Sequence, residues 1–357
     1  MEGRKYERFV KPLSIGETER RSTRKGRKMR GTLPGGPGEA IRKIRMNGRD
    51  HLEGLNLNFS WGIHGGLGEW HAGFDPHAHP YPSCLMFVGL DTANVNYLGA
   101  AINLCLGSEQ ETYSFNEPTA IALPSGLAHG PVVTERIYSP KGFGVLTIEL
   151  NSVSEIAWFG ESAAGFPSES RKSVPEGVSF ASAEEILKNK PVPPTGKYAH
   201  LMKSLKEGLL IERGGFVSDL AARADEHSLK GGGKLGPGSP DHLIWIKGKE
   251  LGGMDANILW GFCSRPGIWR RGAESQTRLF DEVLVYIGTD PNHMDSLGAE
   301  IEIDMGIEHE RYLINKPSAV VCPAGTPHPT QVTRWVDKPF AFLAVGLSGE
   351  YKPESFD

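Results

Sequence analysis

Cysteine is scarce in this chain, and none of it is arranged to act together. The four residues, Cys84, Cys105, Cys263 and Cys322, form no CxxC pair and no dense framework among the 357 positions. That argues against a disulfide scaffold and predicts free thiols in a reducing cytoplasm. Long apolar runs are missing too, and the opening MEGRKYERFVKP is unlike a secretory signal. A cytoplasmic protein with no membrane partner is therefore expected. Acidic residues are sparse at the start: residues 1–45 carry 14 Lys/Arg against 5 Asp/Glu, while the whole chain has a net charge of −4. The most basic stretch, RRSTRKGRKMR (20–30), has no aromatic residue to stack a base and no nucleic-acid-binding motif. It reads as an arm lying on the acidic body or on a partner subunit, and nucleic acid is not the expected partner.

What the chain has in quantity is Gly (45) and Pro (25), which favours many turns and many short strands. It also contains itself twice. LGAAINLCLGSEQETYSFNEPTAIALPSGLAHGP (98–131) aligns with LGAEIEIDMGIEHERYLINKPSAVVCPAGTPHPT (297–330) at an offset of 199. The alignment runs without a gap from Asn58/Asn257 to Thr134/Thr333, and 25 of its 77 pairs are identical. Average composition would give roughly one in sixteen. Trp61/Trp260, Trp70/Trp269, Gly89/Gly288, Tyr113/Tyr312 and Pro124/Pro323 are among the identities. Two copies of one domain follow.

Within each copy, short apolar runs end at Gly or Pro: SCLMFVGL and EVLVYIGT, AAINLCLG and AEIEIDMG, TAIALP and SAVVCP. Short strands at regular spacing with turn residues between them predict an all-β sandwich or barrel. Helical pattern is confined mainly to the segment between the copies, at 182–190 and 196–210, before a Gly-rich stretch at 230–240.

HAGFDPHAHPYPSC (71–84) places His77 and His79 two apart, on one face of a strand, with position 83 on the same face. In PSGLAH, Pro124 and Gly126 shape a turn that delivers His129, and PAGTPH repeats it with His328. A His-x-His strand followed by Pro-x-Gly-x-x-His resembles the cupin superfamily, over both repeats and about two thirds of the chain. The resemblance implies a bicupin: two tandem double-stranded β-helix (jelly-roll) barrels with a short helical connection. Its implied organisation is a basic arm over 1–45, a metal-binding barrel over 46–155, a connecting segment over 156–240 and a degenerate barrel over 241–357.

Cupins typically hold one metal with His-x-His-x-x-x-Glu and the later His. Carried over, the first copy supplies His77, His79 and His129, with Ser83 in the carboxylate position. The second copy has Gln276 and Arg278 in place of two histidines and keeps Glu282 and His328. Three histidines suffice for a catalytic metal with open positions. A cation at Arg278 repels a metal and is positioned to pair with Glu282 instead. One metal site, in the first copy, is expected. His64, His71 and Asp75 stand nearby as reserve ligands or proton carriers, or as loop residues with no such role.

Three neutral imidazoles leave a divalent ion its full charge, which strengthens it as a Lewis acid and favours an anionic ligand. A small, oxygen-rich, anionic substrate is the expectation. Imidazole does not name the metal. The lead reading is an iron(II) dioxygenase, by similarity of layout to gentisate-type ring-cleaving bicupins, with zinc, manganese or nickel as alternatives to iron. A non-redox isomerase, hydrolase or decarboxylase and a ligand-binding cupin are the other readings. Glu69, His71, Tyr81 and Ser83 occur only in the first copy and are the catalytic candidates, with Glu149 on the last strand. Glu109, Glu111 and Tyr113 recur as Glu308, Glu310 and Tyr312 and read as structural, as do the recurring Trp61 and Trp70. A homo-oligomer is a further expectation.

Overall fold

Strand-forming runs separated by glycine and proline leave little room for helix, and the computed structural model bears this out. It describes residues 4–17, 35–71, 76–158, 194–205, 210–212, 234–271, 277–327, 329–349 and 353–354. Among these the only α-helix is the single turn Gly48–His51, and no helix is long and apolar enough to cross a membrane.

The chain divides into two units, each discontinuous in sequence. One comprises Ile15–Arg49 and Asn56–Lys206 and contains the first repeat; the other comprises Met1–Ser14, Asp50–Leu55 and Glu207–Asp357 and contains the second. The main sheet of the first unit runs Met202–Ser204, Thr119–Leu123, Ser83–Gly89, Phe143–Glu149, Asn58–His64, Arg42–Asn47 and Ile15–Glu17. The main sheet of the second runs Val10–Pro12, Ser318–Cys322, Glu282–Gly288, Phe340–Gly346, Asn257–Cys263, His242–Ile246 and Leu210–Glu212. Position by position the order is the same, and the neighbours are antiparallel. A smaller sheet completes each jelly roll. In the first unit it contains His77–Ala78, His129–Ile137, Ala100–Leu106 and Glu111–Phe115.

The period of the sequence sets which side chains are inside. Ala100–Leu106 and Ala299–Met305 alternate buried and half-buried residues along their whole length, as a sheet with one covered face requires. Phe87, Leu104, Ile121, Phe143 and Val145 form part of the first unit's core, with Trp70 and Tyr113. Trp61 and Trp260 are fully buried. Trp70 and Trp269 donate equivalent indole hydrogen bonds, each 2.8 Å, to Thr134 and Thr333, so these recurring tryptophans pack the scaffold.

The segment at 196–210 differs from its expected helix. Its described residues form a 3-10 turn, Ala199–Leu201, and then the strand Met202–Ser204, which pairs with Thr119–Ile121. Leu201 and Leu205 are buried at a helix-like spacing of four, but the open edge of Thr119–Leu123 takes the backbone hydrogen bonds and extends it. The helix expected at 182–190 and the basic stretch at 20–30 lie outside the described residues.

Arg4–Pro12 does in the second unit what 196–205 does in the first. Val10–Pro12 pairs with Ser318–Val320, and Tyr6 and Lys5 reach Glu308 at 2.6 and 2.5 Å. Correspondingly, Tyr198 and Lys197 reach Glu109 at 3.0 and 2.5 Å. KYERFVKPLS and KYAHLMKSLK (5–14 and 197–206) are thus two copies of a strap. The glutamates and tyrosines that recur at 109–113 and 308–312 are its receptors: the Tyr198 amide donates to the Tyr113 hydroxyl at 2.7 Å, and Arg4 pairs with Glu310 at 3.6 Å. Gly107 and Gly306, both at positive φ, lie directly under the rings of Tyr198 and Tyr6, where a Cβ would collide. All four cysteines are free thiols.

Candidate metal centre

Pro76, Pro80 and Pro82 deny the ladder its amide donors, so the strand carrying His77 shrinks to His77–Ala78. His77 sits in register opposite His129, the first residue of its own strand. The Pro124–Gly126 turn then fixes His79. The Gly126 amide donates to the His79 carbonyl at 2.8 Å, and the Leu127 amide to Pro124 at 3.0 Å, with Gly126 at φ 78°. The second unit repeats the clasp: Gly325, at φ 74°, donates to the Arg278 carbonyl at 2.8 Å. The turn is therefore scaffold, present whether or not the clasped residue is a histidine.

All three histidines are buried, and their ligand-capable nitrogens lie within 4.8 Å of one another. Ring centroids are 4.2 Å apart for His77–His129 and 5.2 Å for each of the other pairs. His79 Nδ1 meets the Glu155 carbonyl at 2.8 Å and His129 Nδ1 the Leu127 carbonyl at 3.0 Å. A carbonyl accepts only, so each Nδ1 carries a proton, which in the neutral ring leaves the lone pair on Nε2. The donor set fits a divalent metal.

Tyr81 stacks on His79 with ring centroids 5.4 Å apart and 17° between planes. Its hydroxyl accepts from the Glu155 amide at 2.7 Å and lies 3.2 Å from a Glu149 oxygen and 3.1 Å from the Glu155 carbonyl. Burial, aided by the Glu149 charge, pushes the phenol up to about 12, so Tyr81 stays protonated at neutral pH. Ser83 is buried and faces Glu149 across the strand pair. In the second unit Glu282 holds the Ser83 position and faces Gly346. The carboxylate has thus moved to the opposite strand in the first unit, where the Asn58 amide also holds it at 3.3 Å. Glu69 lies on Gly68–Glu69, paired with Val133, four residues along the strand that His129 begins.

In the second unit Arg278 and Glu282 form a buried ion pair at 3.7 Å. Asp75, Gln276 and His328 lie outside the described residues.

Sequence reasoning missed two side chains here. Glu39 is buried, with Lys43 Nζ at 2.8 Å and His64 Nε2 at 3.5 Å from one oxygen, and His71 Nε2 at 3.6 Å from the other. Burial acts to raise its pKa, but the charges of Lys43, His64 and His71 prevail and hold it at about 2. His64 is depressed to about 4, chiefly by burial. At neutral pH it is uncharged, so the ionic partner of Glu39 is Lys43. His71 in turn stands edge-on to His77 with ring centroids 5.3 Å apart. The signal was present upstream of the ungapped alignment: GPG at 36–38 matches GPG at 236–238 at an offset of 200.

No family model matches the sequence, and no curated protein matches it. Among solved structures the chain is similar to variants of Bacillus subtilis oxalate decarboxylase. A point variant aligns with a TM-score of 0.53 and 11% identity, over 89% of this chain and 76% of that one. A two-residue deletion variant aligns with a TM-score of 0.52 and 13% identity, over 96% and 82%. Likeness at such identity speaks to the fold alone, two tandem jelly-roll domains.

Proposed function

We propose that the protein is a metal-dependent bicupin enzyme whose site, His77, His79 and His129, acts on a small, oxygen-rich, anionic substrate. The observation that carries this is the buried three-histidine cluster with two Nδ1 protons tied to main-chain carbonyls, built in one repeat and absent from the other. Burying three imidazoles beside one another costs desolvation, and the second repeat folds with Gln276 and Arg278 in place of two of them.

A divalent metal there supplies a Lewis acid with open coordination positions, and iron supplies dioxygen chemistry besides. The chain's own residues define the rest. Ser83 adds no charge, so the centre favours anions. Tyr81, packed on His79, orients that imidazole, and its one proton stays within the protein, on Glu149 or the Glu155 carbonyl. Glu149, joined to Tyr81, holds the negative charge one side chain away. Glu69 and His71 flank the strands that carry His129 and His77.

Iron(II) dioxygenase chemistry is the lead reading, with zinc, manganese or nickel as the alternative metals. Non-redox decarboxylation is the second, and the oxalate decarboxylases that share the fold support it equally. Elemental analysis of protein purified without added metal is the first test. Iron, with O₂ uptake on dihydroxybenzoates, supports the dioxygenase. Another divalent metal, with CO₂ released from oxalate or a related acid, supports the decarboxylase. Metal and anion binding without turnover on either substrate class reduces the protein to a ligand-binding cupin, and absence of any metal defeats both enzyme readings.

A further inference from the structure

Residues directly opposite each other on neighbouring strands share one face of the sheet. One such row of the first unit runs Leu85, Thr147, Ser60 and Arg45. It lies on the inner face of the barrel, because Phe87 and Val145, two positions along the strands from Leu85 and Thr147, belong to the core. The same row in the second unit is Leu284, Ala344, Leu259 and Trp245. The scaffold therefore closes with Trp, Leu and Ala where the first unit carries Arg45, Ser60 and Thr147.

The two rows differ in access as well. Leu284 and Ala344 are 1% and 2% exposed, whereas Leu85, Thr147 and Ser60 are half-buried and Arg45 is exposed. Solvent thus reaches the inner face of the first barrel along this row. Among the described residues the Arg45 guanidinium makes no hydrogen bond or ion pair, and the Ser60 and Thr147 hydroxyls make no hydrogen bond. Enough protein surrounds Arg45 for burial to lower its pKa, against the opposing charges of Glu39 and Glu149. A side chain that water reaches and protein crowds lies in a recess. The next row on the same face, about 7 Å along the strands, is Ser83, Glu149 and Asn58. There Glu149 is engaged by Asn58 and by Tyr81, whose ring stacks on His79.

We propose that Arg45, Ser60 and Thr147 form an anion subsite on the inner wall of the first barrel. It takes the far carboxylate of an organic acid whose near end meets the three histidines, so the substrate is a dicarboxylate. A guanidinium presents paired donors to the two oxygens of a carboxylate, and each neighbouring hydroxyl adds one more. Lys43, on the same face, is engaged by Glu39 at 2.8 Å, which leaves Arg45 as the cation available to a ligand.

This inference rests on the metal-centre reading, and the test keeps the two apart. Full-length wild type, Arg45→Gln, Arg45→Lys and Arg42→Gln are loaded with cobalt(II). Visible absorption then follows titration with azide, butyrate and the dicarboxylates from malonate to adipate. Wild type should bind one dicarboxylate length on the order of tenfold more tightly than butyrate. Arg45→Gln should lose that advantage while keeping wild-type affinity for azide and butyrate, and Arg45→Lys should retain part of it. Arg42→Gln removes the same charge from the opposite face of the same strand and should change nothing. The proposal is overturned by a wild type that prefers no dicarboxylate to butyrate, by an advantage that survives in Arg45→Gln, or by an equal loss in Arg42→Gln. Loss of azide affinity in parallel with the dicarboxylate overturns it too. If wild type takes up no cobalt, the metal-centre reading fails by itself. The subsite is then read by calorimetric titration of the metal-free protein with the same dicarboxylates. Binding there must disappear in Arg45→Gln, and no binding, or equal binding in the two proteins, sinks it.

Discussion

His79, His129 and Tyr81 are each held by a second group, and the consequences of removing a side chain at the centre are specific. His129→Ala removes one of three donors while leaving the Gly126 clasp on His79 intact. Metal content should fall from one per chain to below about a tenth, with far-ultraviolet circular dichroism unchanged. Tyr81→Phe keeps the stack on His79 but orphans the Glu155 amide. It should lower stability by about 1–2 kcal/mol in urea titration and weaken metal affinity without abolishing it. Acid acts through Glu39 and His64. Both have folded pKa values below their ordinary ones, about 2 and about 4, so the unfolded chain binds protons more readily and stability rises with pH. The metal-free protein should lose stability first between about pH 6.5 and 4 through His64, then between about pH 4.5 and 2 through Glu39. Each window is worth on the order of 3 kcal/mol. In His64→Phe the upper part of the melting-temperature profile should flatten, and an unaltered slope would assign that window to another group. At this scale the three histidines were legible because each sits in a stretch that the chain repeats with changes. Glu39 and Lys43 were not, because the connection between Arg49 and Asn58 is one residue longer than its counterpart and breaks the register. Their spacing of four also reads as an ordinary pair on a helix surface, although Lys43 lies on a strand.

Among the elements, the strands of each repeat follow their alternation closely, and the straps do not. Tyr198, Leu201 and Leu205 carry a helix-like period, yet the backbone between them is recruited to a sheet edge. Periodicity reports which side chains are buried; it does not report that an edge 80 residues away lacks a partner. Tyr198→Ala removes the ring over Gly107 and the hydrogen bond to Glu109, and should destabilise the first unit by about 2 kcal/mol. Hydrogen exchange should rise at Thr119–Leu123, to which the strap is paired. Unchanged protection there would mean that the strand alone, without its tyrosine anchor, holds the edge.

For the whole molecule, two repeats were legible as two domains, but the division of the chain between them was not. Each unit takes its outermost main-sheet strand from residues that precede the other repeat. Deleting residues 1–14 should therefore expose Ser318–Cys322 to exchange and lower the stability of the second unit, while leaving metal binding at His77, His79 and His129 unaltered. Equal losses in both units would contradict this assignment.

The exchange of straps also bears on synthesis. Val10–Pro12 leaves the ribosome ahead of its sheet partner Ser318–Val320, which follows about 310 residues later. At roughly 5–20 residues per second that is a wait of about 15–60 s for a strand with no neighbour, a state that invites pairing with other nascent chains. Arg4, Lys5, Arg8 and Lys11 surround it with like charge. Until Glu308, Glu310 and Glu53 neutralise them, those residues are the gatekeepers that keep the waiting strand apart from its copies.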